Sequence, residues 1–119
     1  MVQKTSEVTF NTNQAVTINI DAIEFVYIQF EGETGTSFSY EIRASRDSIQ
    51  PNFNAIGSYA NPHFPLEIIS EGNSSTAGSI GTVVGASCQS YKLNTDGVKW
   101  LSIVVTSLVG KGRIKFFTT

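Results

Sequence analysis

The stretch Val98–Thr119 reads VKWLSIVVTSLVGKGRIKFFTT, and three readings compete for it: a membrane segment, a phosphate loop around GKG, or the last two strands of a sheet. Leu101, Ile103 and Val105 fall on one side of the period-two pattern, with Trp100, Val104 and Thr106 on the other. Beyond Val109–Gly112, Ile114 and Phe116 alternate with Arg113, Lys115 and Phe117. Such alternation predicts two strands joined by a tight turn, read here as a β-hairpin. The apolar run falls short of the roughly 18 residues a spanning helix needs. Basic residues at alternate positions of the return strand also disfavour lipid burial. A phosphate loop requires G-x-x-x-x-G-K-[ST] running into a helix, whereas Lys111 is followed by Gly112 and a strand. The strand reading wins.

The same alternation recurs upstream. In SFSYEIRAS, Phe38, Tyr40, Ile42 and Ala44 face in, and Ser39, Glu41, Arg43 and Ser45 face out. AVTINI sets Val16, Ile18 and Ile20 on one face, while IEFVYIQFEG (Ile23–Gly32) is apolar on both. Further strands are expected at Ala55–Ser58, Leu66–Ser70, Ser79–Val84, Gln89–Leu93, Trp100–Ser107 and Arg113–Thr118, and helix only as a single turn near Ser48–Phe53. Turn chemistry falls between them: GETG (Gly32–Gly35), NPHFP (Asn61–Pro65), the polar loop Glu71–Ser79, NTDG (Asn94–Gly97) and VGKG (Val109–Gly112). Eight or nine short strands at this spacing predict an all-β chain, a single antiparallel β-sandwich of jelly-roll type over residues 1–119. Residues 1–13 are a candidate extended N-terminal arm.

Composition agrees. At 119 residues the chain is one domain, long enough for a core without disulfides or metal. Only 15% of residues are charged, and the polar surface falls to Ser, Thr, Asn and Gln, as suits outward strand positions. A net charge of −2 offers no attraction for nucleic acid or anionic lipid, so neither partner is expected. MVQKTSEVTF has no apolar signal region, and the expectation is a soluble chain made in the cytoplasm.

No catalytic, cofactor or metal signature stands out. His63 is the single histidine, which leaves no histidine-rich zinc site. Cys88 is read as a small half-buried strand residue, and a Cys88–His63 nucleophile pair has no third group to orient it. Asn94–Gly97 lacks the distal ligands of a calcium loop. Glu24, Glu31, Glu33, Glu41, Glu67 and Glu71 sit mostly at strand ends or outward positions, unlike a desolvated glycosidase pair. Asn73–Ser75 matches the glycosylation sequon and reads as loop composition. Exposed aromatics remain: Tyr59, His63 and Phe64 gather around one loop, suited to stacking a glycan or to a protein contact. Phe53 and Trp100 are read as core.

The segment YKLNTDGVKWLSIVVTSLVGKGRIKFF resembles the closing pattern of small tailed-bacteriophage structural proteins: a strand, a Gly turn, an apolar V-x-V-T strand, a second Gly turn and a last strand. VYIQFEGETGTSFSYEIRASRDSIQPNFNAIG resembles their strand–turn–strand followed by S-x-D-G-x-x-W, with Ser48 standing where Gly is usual and Phe53 where Trp is. The resemblance spans roughly residues 14–118. It implies a virion component: a capsid decoration (cement) protein, a head-fibre base or a tail or baseplate accessory domain, commonly a homotrimer or larger symmetric oligomer, with the major capsid protein or other virion proteins as partners and glycans as a further candidate. The surfaces it implies for subunit contact are the doubly apolar strand, with Phe25 and Tyr27, and the terminal Phe117, with Tyr59, His63 and Phe64 as loop candidates.

Overall fold

The computed structural model describes residues 4–20, 25–68 and 79–118. The strands are β1 (Lys4–Phe10), β2 (Ala15–Asn19), β3 (Phe25–Gly32), β4 (Ser37–Ser45), β5 (Phe64–Pro65), β6 (Ile80–Val84), β7 (Ser87–Asn94), β8 (Trp100–Val109) and β9 (Gly112–Thr118). They form two antiparallel sheets. Sheet A runs β1-β9-β3-β7; sheet B runs β2-β8-β4, with β5 and β6 sharing the outer edge of β4. Apart from β4, β5 and β6, which share sheet B, consecutive strands alternate between the four-stranded and the five-stranded sheet, the arrangement of a jelly roll. The alternating positions of both sheets meet in one core, where Phe30 stacks on Tyr40 at 3.9 Å and Phe10 meets Phe38 edge-on at 5.1 Å.

The terminal hairpin is the main correction. β8 pairs with β2 and β4 in sheet B, while β9 pairs with β1 and β3 in sheet A, so the turn between them is an arch across the sandwich. Leu101, Ile103 and Val105 therefore face Ile114 and Phe116 across the core rather than lying beside them. Period-two alternation is identical in a hairpin and an arch, and only the pairing separates the two. The turn at Asn94–Gly97 likewise carries the chain from sheet A to sheet B. Arches at Gly35, Gly85, Gly97 and Gly110 all use a glycine at positive φ, between 70° and 89°, which other residues adopt at a cost.

Other expectations shift locally. Residues 1–13 were expected as an arm, but Lys4–Phe10 is an edge strand whose Phe10 seals the core. No helical turn forms at Ser48–Phe53 and no strand at Ala55–Ser58, because asparagine side chains take over the backbone there. Asn61 accepts from Asn52 N at 2.7 Å and donates to the carbonyls of Asn52 and Ile56 at 2.8 and 3.2 Å. Leu66–Ile68, the described part of the strand expected at Leu66–Ser70, is not strand, and a two-residue strand, Phe64–Pro65, forms just before it; Ile69, Ser70 and most of Glu71–Ser79 with its sequon lie outside the described residues. In β8 the register against β4 slips between Ser37 and Ser39, where Ser107 takes φ 54°. This bulge resets the alternation: Leu108 packs on the core and Val109 turns out to solvent.

Candidate interaction site

The outward face of sheet A is built from in-register rows. Thr5, Phe117, Tyr27 and Lys92 stand side by side across four strands; Glu7, Lys115, Gln29 and Ser90 form the next row; Thr9, Arg113, Glu31 and Cys88 the third. The last two rows make an ionic cluster. Arg113 binds Glu31 through Nε at 2.9 Å and also through Nη2, and reaches Glu7 at 3.0 Å. Lys115 lies 3.2 Å from the other Glu31 oxygen, and Gln29 donates to that oxygen at 2.6 Å. The Arg113 bond, opposed by burial and assisted by Gln29 and Lys115, holds the Glu31 carboxyl down to about 2 from its ordinary 4.5. The same bond pushes the Arg113 guanidinium up.

The first row and Phe25 make an aromatic patch beside that cluster. Lys92 Nζ lies 4.2 Å from the Phe25 ring centre and 6.0 Å from that of Tyr27. Tyr27 is 41% exposed, and Phe25 and Phe117 are half-buried. Three of the residues singled out for contact thus share one surface, because both faces of β3 and β9 carry apolar side chains.

Of the other three, Tyr59 and His63 belong to the loop between β4 and β5, and Phe64 opens β5. Ser58 and Asn61 bridge each other at 3.0 and 3.1 Å, a turn that holds Tyr59 fully exposed at its tip. His63 sits at the base. Its Nδ1 accepts from Arg43 Nε at 2.9 Å, so its Nε2 carries the hydrogen donated to the Ala55 carbonyl at 2.9 Å. Phe64 is half-buried under the Arg46 guanidinium, 4.7 Å above its ring. Of the pair expected in the core, Phe53 is buried, whereas Trp100 is half-buried and points its Nε1 at the Ser48 carbonyl, 3.4 Å away.

That loop overhangs the outward face of sheet B and leaves a groove of roughly 560 Å³ lined by Ser39, Glu41, Arg43, Asn54, Ile56, Ile80 and Val104, among others. Glu41 and Arg43 pair at 2.7 Å on its floor. Ile56 and Ile80 (68% exposed) stand at its wall, and Val84 (72% exposed) and Val109 are exposed on strands of the same sheet. IGTVV alternates β-branched residues on both faces, so its sequence carries no sign of which face is wet.

Cys88 is exposed and free on edge strand β7, rather than half-buried. It faces outward from sheet A, while His63 bonds to Arg43 on the outer face of sheet B, so the two do not meet. Glu31 and Glu41 are likewise on opposite faces, and Glu24 and Glu71 lie outside the described residues. Among the described residues no group of three His, Cys, Asp or Glu is placed to hold a metal ion, and no helix is long and apolar enough to cross a membrane.

No protein-family model and no curated protein sequence matches the chain. Among solved structures it is similar to the SPBc2 prophage-derived protein YomS, with a TM-score of 0.61 and 11% identity, over 99% of this chain and 95% of that one. A subunit of Bacillus endospore appendages, described as a novel family of disulfide-linked pili, aligns with a TM-score of 0.40 and 13% identity, over 99% of this chain and 87% of that one. At 11% identity the first likeness establishes a shared fold.

Proposed function

We propose that this chain is a non-enzymatic structural protein of a tailed-phage virion, a decoration or cement protein that stabilises the shell by protein–protein contacts as a homotrimer. The observation that carries this reading is the end-to-end likeness of its jelly roll to a prophage-derived protein, over 99% of the chain. The terminal and mid-chain patterns that resemble small tailed-phage structural proteins support it. Phe25, Tyr27 and Phe117 close the trimer, since an aromatic patch beside a self-paired ionic cluster brings little unmet charge into a contact. Tyr59, held out at the tip of the Ser58–Asn61 turn, meets the major capsid protein or another virion component. The test adds purified chain to emptied capsids. Stoichiometric binding with a shell that resists heat longer is expected, and absence of binding overturns the reading.

A second reading, a glycan- or receptor-binding module of a head or tail fibre, is favoured by Tyr59 at the tip of a pinned turn in the loop that walls a groove floored by the Glu41–Arg43 pair. It expects Tyr59→Ala to abolish binding on a glycan array. An array with no signal for the unaltered chain removes this second reading.

A further inference from the structure

Among the described residues β6 is an edge strand with one neighbour, β4. Ile42 N donates to Ser79 O at 2.8 Å and Gly85 N to Thr36 O at 2.7 Å, which fixes the phase of that ladder. The odd-numbered residues turn their backbone groups to β4, and Ile80, Thr82 and Val84 turn theirs to the open edge. Their side chains point outward from sheet B, and Ile80 and Val84 are among its most exposed apolar groups. The strand carries no charge and no proline, the usual guards of an edge. One guard is present: Gln89 Nε2, on β7, donates to the Thr82 carbonyl at 3.1 Å, and Tyr91 Oη donates to Gln89 Oε1 at 3.0 Å.

We propose that the open edge of β6 pairs antiparallel with β6 of a second copy, about a two-fold axis at Thr82. The sequence Ile80-x-Thr82-x-Val84 has apolar β-branched residues equally spaced on either side of Thr82, so the two-fold sets Ile80 against Val84 twice and Thr82 against itself. A copy of the same strand is therefore the partner that satisfies every outward N–H and C=O with apolar neighbours matched. The charges on the adjoining strand β4, Glu41 and Arg43, are paired with each other at 2.7 Å and present no net charge to their copy. The Gln89 amide yields the Thr82 carbonyl to the N–H of the facing Thr82. This contact is separate from the Phe25–Tyr27–Phe117 surface and from any role in a virion.

The register makes a sharp test. Facing residues of a hydrogen-bonded antiparallel pair have Cα atoms about 5.5 Å apart, within the roughly 4.4–6.8 Å that a disulfide spans. In a Cys88→Ser background, Thr82→Cys is expected to give a cross-linked dimer on mild oxidation. Ile80→Cys alone lags well behind it, because its opposite is Val84, and the double variant Ile80→Cys, Val84→Cys restores cross-linking. Ser90→Cys, on the edge strand of sheet A, is the reference. Val84→Lys slows the Thr82→Cys reaction several-fold, and Gln89→Ala speeds it. A Thr82→Cys chain that cross-links no faster than Ser90→Cys, or no faster than Ile80→Cys, overturns the pairing. Each variant's circular dichroism confirms folding. Failure here leaves the trimer contact standing, since none of these positions belongs to it.

Discussion

The two outward faces of this sandwich come from the same alternating pattern and end up unlike. Sheet A consumes its own charges: Glu7, Arg113, Glu31 and Lys115 neutralise one another and leave an aromatic patch beside them. Sheet B carries the ion pair Glu41–Arg43, which anchors a folded-back loop through His63 beside a groove with apolar walls. Outward strand positions are thus not generic wet surface. On one face cross-strand charge pairing sets what is exposed; on the other, a loop does.

The largest stability effect is expected where β6 meets the core. A Cβ at Gly81 would sit 2.3 Å from the Tyr40 hydroxyl and 2.5 Å from its Cζ, and the Tyr40 ring is stacked on Phe30. Burial, with Tyr91 adjoining, pushes the Tyr40 hydroxyl well above its ordinary range, a sign of how enclosed that ring is. Gly81→Ala should cost about 2–3 kcal/mol in urea unfolding and speed amide exchange in β6 and β7 while β1 and β9 keep theirs. A cost under about 0.5 kcal/mol would mean the ring moves aside freely, at odds with a packed edge.

Arg43→Ala comes next. Arg43 binds Glu41, the Nδ1 of His63 and, at 3.2 Å, the His63 carbonyl. Its loss should cost about 1–2 kcal/mol and open residues 53–57 to proteolysis. Equal protease resistance would show that the loop holds itself without sheet B.

Glu31→Gln probes the other face. A carboxyl held at about 2 against an ordinary 4.5 stabilises the fold above pH 4.5, and that contribution is lost as pH falls towards 2. Glu31→Gln should cost about 1 kcal/mol at neutral pH, discounted for the partly exposed partners. The difference from the parent chain should close between pH 4.5 and 2. A gap that persists at pH 2 would assign the cost to packing. Smallest of all, Tyr59→Ala should leave stability within about 0.5 kcal/mol, because its ring touches solvent throughout.

Much of this was legible from residue pattern alone. Phe38, Tyr40, Ile42 and Ala44 are buried as their alternation predicts, and the turn glycines sit at positive φ where the turns demand it. The pairing was not legible, since Leu101 and Ile114 alternate alike whether their strands lie side by side or face to face. Nor was the loop from Arg46 to His63, where Asn52 and Asn61 form hydrogen bonds that no strand pattern encodes. The grouping of Phe25, Tyr27 and Phe117 follows from β3 and β9 being neighbours, and the exposure of Val109 from a bulge at Ser107.

The central claim is that this molecule works by contact through chosen faces, and its mass in solution tests that most directly. Light scattering on the unaltered chain should report an oligomer. The double variant Tyr27→Lys, Phe117→Lys should lose the trimer contact at unchanged circular dichroism. An unaltered chain that stays single at every concentration, or a double variant that keeps the full oligomer mass, would contradict the account.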